Sequence, residues 1–246
     1  PELSFGKLRA ALARRHSLAE DRLFFGAGLD DVIKLLLHAW TSEGDTVLVH
    51  IPTFPRYELE ARLRGCDVAC VENDDPAAIN VEGIEQALKS GRIALAFLCT
   101  PNNPTGATVG NADIEKMALA NPDTIFIVDE ALIYPLDDGA LPLAATHANV
   151  CVLRTFSKYF GLAGLRIGYA VADAGLVRVA EVGRPPFNMA APAVEAAAAA
   201  LADEAFLPSC KAVFAQETEH FRERLSATPL SIRGGNANML LLDLGD

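Results

Sequence analysis

The segment "RTFSKYFGLAGLRIGYAV", residues 154–171, sets Ser157, Lys158 and Arg166 among glycines and small residues, between two apolar runs that read as strands. Most isolated lysines and arginines are solvated surface charges, and a loop leading into a helix would accommodate both here. The same residue types can also do chemistry. A lysine amine adds to an aldehyde to form a Schiff base, and an arginine eight residues further on can clamp a phosphate through charge-assisted hydrogen bonds. The rest of the chain decides between the two.

Three more polar clusters follow strand-like runs: "GAGLDD" after "RLFFG", "TPNNPTG" after "IALAFLC", and "DEALIY" after "TIFIV"; "TFSK" itself follows "VCVL". In open α/β sheets, ligands bind beyond the carboxyl ends of the strands. Each cluster alone has an ordinary explanation. Gly-x-Gly is usually a tight turn, Asn, Pro and Gly together make turns, and an Asp beyond a strand often caps the next turn or helix. Yet Asp129 closes an apolar strand, where a carboxylate is costly unless paired. "GAGLDD" opens a helix, whose free N–H groups and dipole favour an anion.

These clusters need a frame to position them. Strand-like and helical runs alternate: "RLFFG" and "DDVIKLLLHAW", "TVLVHI" and "RYELEARLR", "IALAFLC" and "ADIEKMALA", then "TIFIVDE", "VCVLRTF" and "IGYAV". Alternation of this kind predicts crossover connections and an α/β fold with a mostly parallel sheet covered by helices on both faces. The nearly continuous apolar strands agree, because parallel strands are buried on both sides. From Ala190 to about Ala227 the chain reads as Ala-rich helix, interrupted at Pro208. "PLSIRGGNANMLLLDL" then reads as a turn and a strand that begins something new. The expected division is 1–227 and 228–246, the second part being only the start of a small α+β domain.

Composition narrows the function classes. The chain has 246 residues, of which 51% are apolar and 22% charged, enough for a sizeable core and unlike a disordered or fibrous sequence. A net charge of −11 argues against a nucleic-acid partner, since that affinity rests on Lys and Arg neutralising phosphates. The odd set of cysteines, 66, 70, 99, 151 and 210, has no C-x-x-C pair, which reads as free thiols in a reducing cytoplasm. The scattered histidines give no metal-ligand spacing, so no metal is expected. No apolar run approaches a membrane span and no secretion signal opens the chain. Without an initiator Met, the sequence is expected to be cut, processed or incomplete.

In order and spacing, "GAGLDD", "NNPTG", "DEA" and "TFSKYFGLAGLR" resemble the fold-type I pyridoxal-phosphate enzymes, in particular aminotransferases of the histidinol-phosphate type, over nearly the whole chain. The resemblance implies pyridoxal 5'-phosphate as cofactor. It makes Lys158 the residue that carries the cofactor and moves the proton at the substrate α-carbon, and Asp129 the partner of the protonated pyridine nitrogen. Main-chain groups of Ala27, Gly28 and Leu29, the hydroxyls of Thr155 and Ser157 and the Arg166 guanidinium would hold the phosphate. Asn103 would donate to the phenolic oxygen and Phe54, in "HIPTF", would stack on the ring. The family usually has a tyrosine three residues after the aspartate, but this sequence has Leu132 there. Tyr134, two residues further, would replace it if the segment were extended, since alternate side chains then share a face; otherwise it packs elsewhere.

The implied activity is transfer of an amino group from an L-amino acid or amino-phosphate to a 2-oxo acid. Alternatives are a threonine-phosphate decarboxylase-like enzyme, a non-catalytic cofactor-binding domain, or a regulator that senses the cofactor, for which no helix-turn-helix signal appears. The resemblance also implies a homodimer. Pro1 would be the proline of a Tyr-Pro pair whose tyrosine reaches the partner's phosphate, and the arginine for the substrate carboxylate would lie in the small domain, beyond Asp246.

Overall fold

A computed structural model of the chain describes residues 5–228, 230–234 and 238–244. Pro1 lies outside the described residues. In chain order the elements are α1 (Gly6–His16), β1 (Leu23–Gly26), α2 (Leu29–Trp40), β2 (Thr46–Ile51), α3 (Arg56–Leu63), β3 (Asp67–Glu72), α4 (Val81–Ser90), β4 (Leu95–Cys99) and α5 (Asn111–Ala120). They continue with β5 (Ile125–Asp129), α6 (Leu141–Thr146), β6 (Val150–Thr155), β7 (Gly168–Val171), α7 (Ala174–Gly183), α8 (Ala191–Ala202), α9 (Phe206–Leu225), β8 (Ser231–Gly234) and β9 (Leu241–Asp243).

The first seven strands form one sheet in the order β1-β7-β6-β5-β4-β2-β3. Strand β7 is antiparallel to both neighbours and every other pair whose partners exclude it is parallel, so six strands run one way and β7 runs back. The α/β expectation holds, with one reversed strand. Successive residues of the central strands enter opposite layers, as the period of two requires. Leu48, Ala96, Leu98, Phe126 and Val128 pack with α1, α4, α5 and α8. Val47, Val49, Leu95, Phe97 and Ile127 pack with α2, α3 and α7. Among the described residues, strands β8 and β9 pair only with each other.

One expectation about the helices is corrected. The break between α8 and α9 lies at 203–205, ahead of Pro208, which falls in the first turn of α9. A proline is tolerated there because that N–H has no helical acceptor. The Asp203 carboxylate accepts the N–H groups of Ala205 and Phe206 at 3.2 and 3.0 Å, which starts the new helix.

The sheet also buries a histidine. His50 in β2 is fully enclosed, and its Nε2 accepts the Cys99 N–H at 3.3 Å, which ties β2 to the end of β4. Burial pushes this imidazole down to about 4 from its ordinary 6.5. Between those values the unfolded chain takes up a proton that the folded chain refuses. Stability from this group is therefore complete above pH 6.5 and is lost as pH falls towards 4. The full window corresponds to about 3 kcal/mol. Urea unfolding followed from pH 7 to pH 4 is expected to show this loss in the native chain and a correspondingly shallower slope in His50→Gln; equal slopes would refute it.

Candidate active site

Strand register brings the polar clusters together. Cys99 pairs with Asp129 across β4 and β5, and Asp129 with Leu153 across β5 and β6. Thr155 and Gly26 both pair with Gly168, the first residue of the reversed strand β7. The carboxyl ends of β1, β4, β5 and β6 thus meet at one edge, and the segment carrying Arg166 enters the same edge because β7 runs backwards.

A cavity of about 180 Å³ opens there. Of the residues expected from sequence, Leu29, Phe54, Asn103, Asp129, Thr155, Ser157, Lys158 and Arg166 line it. Asp129 is 3% exposed. Burial raises its carboxyl above the usual carboxylate range, while hydrogen bonds from the Tyr57 hydroxyl and the Ala131 N–H pull it back. Those bonds are 2.6 Å to Oδ2 and 2.9 Å to Oδ1. The adjacent Cys99 thiol also lines the cavity, and burial pushes it up to about 12, which keeps it neutral. Lys158 is exposed, in the turn that follows β6. A lysine activated by burial at a strand end is not what the structure has: the sheet ends before Lys158, which is exposed and lines the cavity.

The anion-holding corner is built by close approach. Gly28 has φ +85°, and a Cβ there would collide with the Arg166 guanidinium; a Cβ on Gly168 would lie 2.8 Å from the Leu29 nitrogen. Bare backbone at both positions lets the start of α2, β7 and Arg166 converge. Arg166 meets Asp30 at 3.2 Å, with both side chains nearly half exposed. Two of the three expected main-chain donors are already engaged: Ala27 N–H donates to Asp31 at 2.9 Å and Gly28 N–H to the Gly26 carbonyl at 2.8 Å. The N–H groups of Leu29, Asp30 and Asp31 form the first turn of α2 and have no acceptor within the helix. The Thr155 hydroxyl donates to the Ile167 carbonyl and accepts from Ser157 N–H, so its proton serves the turn.

Tyr134 lies elsewhere. Residues 130–137 make successive turns, with Ile133 N–H on Glu130 and Asp137 N–H on Tyr134, so the extended path that would align 132 with 134 does not exist. The Tyr134 ring packs edge-to-face on Tyr159 at 5.4 Å and under Lys211 at 4.2 Å, and it lines a neighbouring cavity of about 640 Å³. Two residues escaped the sequence reading. Tyr57, three residues past Phe54, binds Asp129. Asn102, beside Asn103, is fully buried and ties the loops after β2 and β4 through Pro52, Thr53 and Thr105 at 2.7–2.9 Å. A tyrosine buried in a helix needs a partner for its hydroxyl, and that was the available signal for Tyr57.

Residues 4–246 match the family described as aminotransferase class I and II. The chain belongs to that family. The chain is 34% identical over 245 residues to histidinol-phosphate aminotransferase of Methanosarcina mazei, covering 99% of this chain and 65% of the relative. It is 35% identical over 240 residues to the protein of the same name from Halalkalibacterium halodurans, covering 96% and 64%. Among solved structures, histidinol-phosphate aminotransferase from Sinorhizobium meliloti in complex with pyridoxal-5'-phosphate superposes with TM-score 0.93 at 26% identity, covering all of this chain and 68% of that one. L-threonine-O-3-phosphate decarboxylase from Porphyromonas gingivalis, at 23% identity and TM-score 0.81, shares the fold. The chain thus spans about 65% of the length of the first of these relatives.

Behind the aminotransferase-family cavity lies a buried ion pair. Arg154 reaches Glu130 Oε2 through Nε at 3.0 Å and Nη2 at 2.7 Å, and Glu130 Oε1 accepts Ala140 N–H at 2.6 Å. The pair pins the turns that follow Asp129. Removing one partner leaves an uncompensated buried charge, so Arg154→Met is expected to cost about 3 kcal/mol or more in urea unfolding. Glu130→Met combined with Arg154→Met should cost less than the single change, and a double variant that is worse would contradict this account.

Proposed function

We propose that the cavity binds pyridoxal 5'-phosphate and that the chain is the cofactor-binding part of an aminotransferase of histidinol-phosphate type. It would transfer an amino group from an L-amino acid or amino-phosphate to a 2-oxo acid. The observation that carries this is a fully buried carboxylate, Asp129, sharing one cavity with Lys158 and Arg166 in a chain of this family. The names of the relatives favour amino transfer over decarboxylation.

The residues fit the group. A protonated pyridine nitrogen would compensate the Asp129 carboxylate, whose burial otherwise costs energy. Arg166, Ser157 and the first turn of α2 are suited to a phosphate. Phe54 and Asn103 line the same cavity, where Phe54 would cover the ring and Asn103 would donate to the phenolic oxygen. When bound, the cofactor supplies an aldehyde and an electron-withdrawing ring. Lys158 Nζ would hold the aldehyde carbon, and is the amine at hand to take and return a proton at the substrate α-carbon. Tyr134 is given no part in this reading, since it lines the neighbouring cavity and not this one.

The division at 227 and 228, a cytoplasmic location and a homodimer belong to the same proposal. No helix among the described residues is long and apolar enough to cross a membrane. Light scattering on the intact protein is expected to give twice the chain mass, and a fully active monomer would contradict the dimer.

The chemical test is borohydride reduction in the presence of pyridoxal phosphate, followed by peptide mapping. Label is expected on Lys158, with loss of labelling and of the visible absorbance in Lys158→Ala. Label on another lysine, or an unchanged spectrum in the variant, would overturn the assignment.

A further inference from the structure

Tyr57 stands in the first turn of α3 with no solvent exposure. Its ring stacks on Phe97 of β4, with centroids 4.4 Å apart and planes 11° apart, and meets Phe54 edge-to-face at 5.6 Å. Held between two aromatic rings, the phenol cannot swing its hydroxyl elsewhere without breaking that packing. The hydroxyl donates to Asp129 Oδ2 at 2.6 Å, within the short range of O–H···O⁻ bonds. The other carboxylate oxygen accepts the Ala131 N–H at 2.9 Å. Each oxygen therefore has one fixed donor, and the carboxylate plane is set by two elements, α3 and the turn after β5. The same phenol also touches Phe54, so the wall for a ring face and the acceptor for a ring nitrogen share one support.

We propose that Tyr57 is a positioning residue: by donating to Oδ2 it fixes the Asp129 carboxylate as an acceptor at the cavity wall and so sets how tightly the site holds a protonated pyridine nitrogen. This rests on the reading that the cavity takes pyridoxal phosphate. A hydroxyl that merely filled space would be replaceable by hydrogen, since phenylalanine keeps the stack on Phe97 and the contact with Phe54. A hydroxyl that governs the carboxylate would not. Without it, burial acts on Asp129 with only the Ala131 N–H of these two donors opposing it, so the neutral carboxylic acid gains ground and the acceptor for an N–H⁺ is weakened.

The test uses Tyr57→Phe and two readouts. In the ligand-free chain, ¹³C NMR of labelled aspartate carboxyls, with Asp129 assigned from Asp129→Asn, is expected to show its titration moved up by about a pH unit or more. In binding measurements, affinity for pyridoxal phosphate should fall about tenfold, whereas affinity for the analogue with C–H in place of the ring nitrogen should hold within about twofold. Adding Asp129→Asn should abolish that selectivity. Equal weakening for both ligands would mean that Tyr57 only packs, and an unmoved Asp129 titration would overturn the proposal outright. Failure of the native chain to bind either ligand would overturn the cofactor reading instead, and the ligand-free titration would still decide whether the hydroxyl governs the carboxylate.

Discussion

The burial of the Asp129 carboxylate is the constraint around which the rest is arranged. A carboxylate at the end of a central strand, 3% exposed, is tolerable only with hydrogen bonds and a cation to meet it. The first requirement is met within the chain by Tyr57 and Ala131. For the second, Lys158, in the same cavity, adds some attraction, and on the proposed function a protonated ring nitrogen would supply the rest. The next residue shows the contrast. Glu130 is equally buried, but its cation, Arg154, and a further donor, the Ala140 N–H, come from within the chain, and the pair pins the loop.

At the Arg166 corner of the cavity the governing interaction is close backbone approach. Gly168 opens β7 directly against the Gly28–Leu29 turn, and Gly28 leaves room for the Arg166 guanidinium. Side chains at either glycine would separate the start of α2 from the arginine. The reversed direction of β7 completes the geometry, because it delivers Arg166 to the end of the sheet where the other strands finish. Carboxylate and guanidinium thus belong to two different constraints, one of desolvation and one of sterics, set at strand ends with only β6 between them.

Much of this was legible in the residues themselves. The strands carrying Cys99, Asp129 and Thr155 are continuous apolar runs, and the motifs after them could be placed at strand ends without coordinates. What failed depended on local backbone that composition does not encode. Tyr134 shares a face with Leu132 only if the segment runs extended; hydrogen bonds from Ile133 and Asp137 fold it into turns. Ala27 and Gly28 have the makings of anion donors, but the Asp31 side chain and the Gly26 carbonyl take their N–H groups. The apolar neighbours of Lys158 suggest burial, yet the chain turns outward there. Tyr57 was hidden for a different reason: it sits in a helix half of whose residues are charged, and its importance comes from a partner 72 positions away.

The central claim is that Asp129 exists to face a protonated ring nitrogen. The most direct measurement is ¹⁵N NMR of the chain loaded with pyridoxal phosphate labelled at that nitrogen. The account predicts the chemical shift of a protonated pyridine at neutral pH in the native chain, and of an unprotonated one in Asp129→Ala. An unprotonated nitrogen in the native chain, or a signal indifferent to the loss of Asp129, would contradict it.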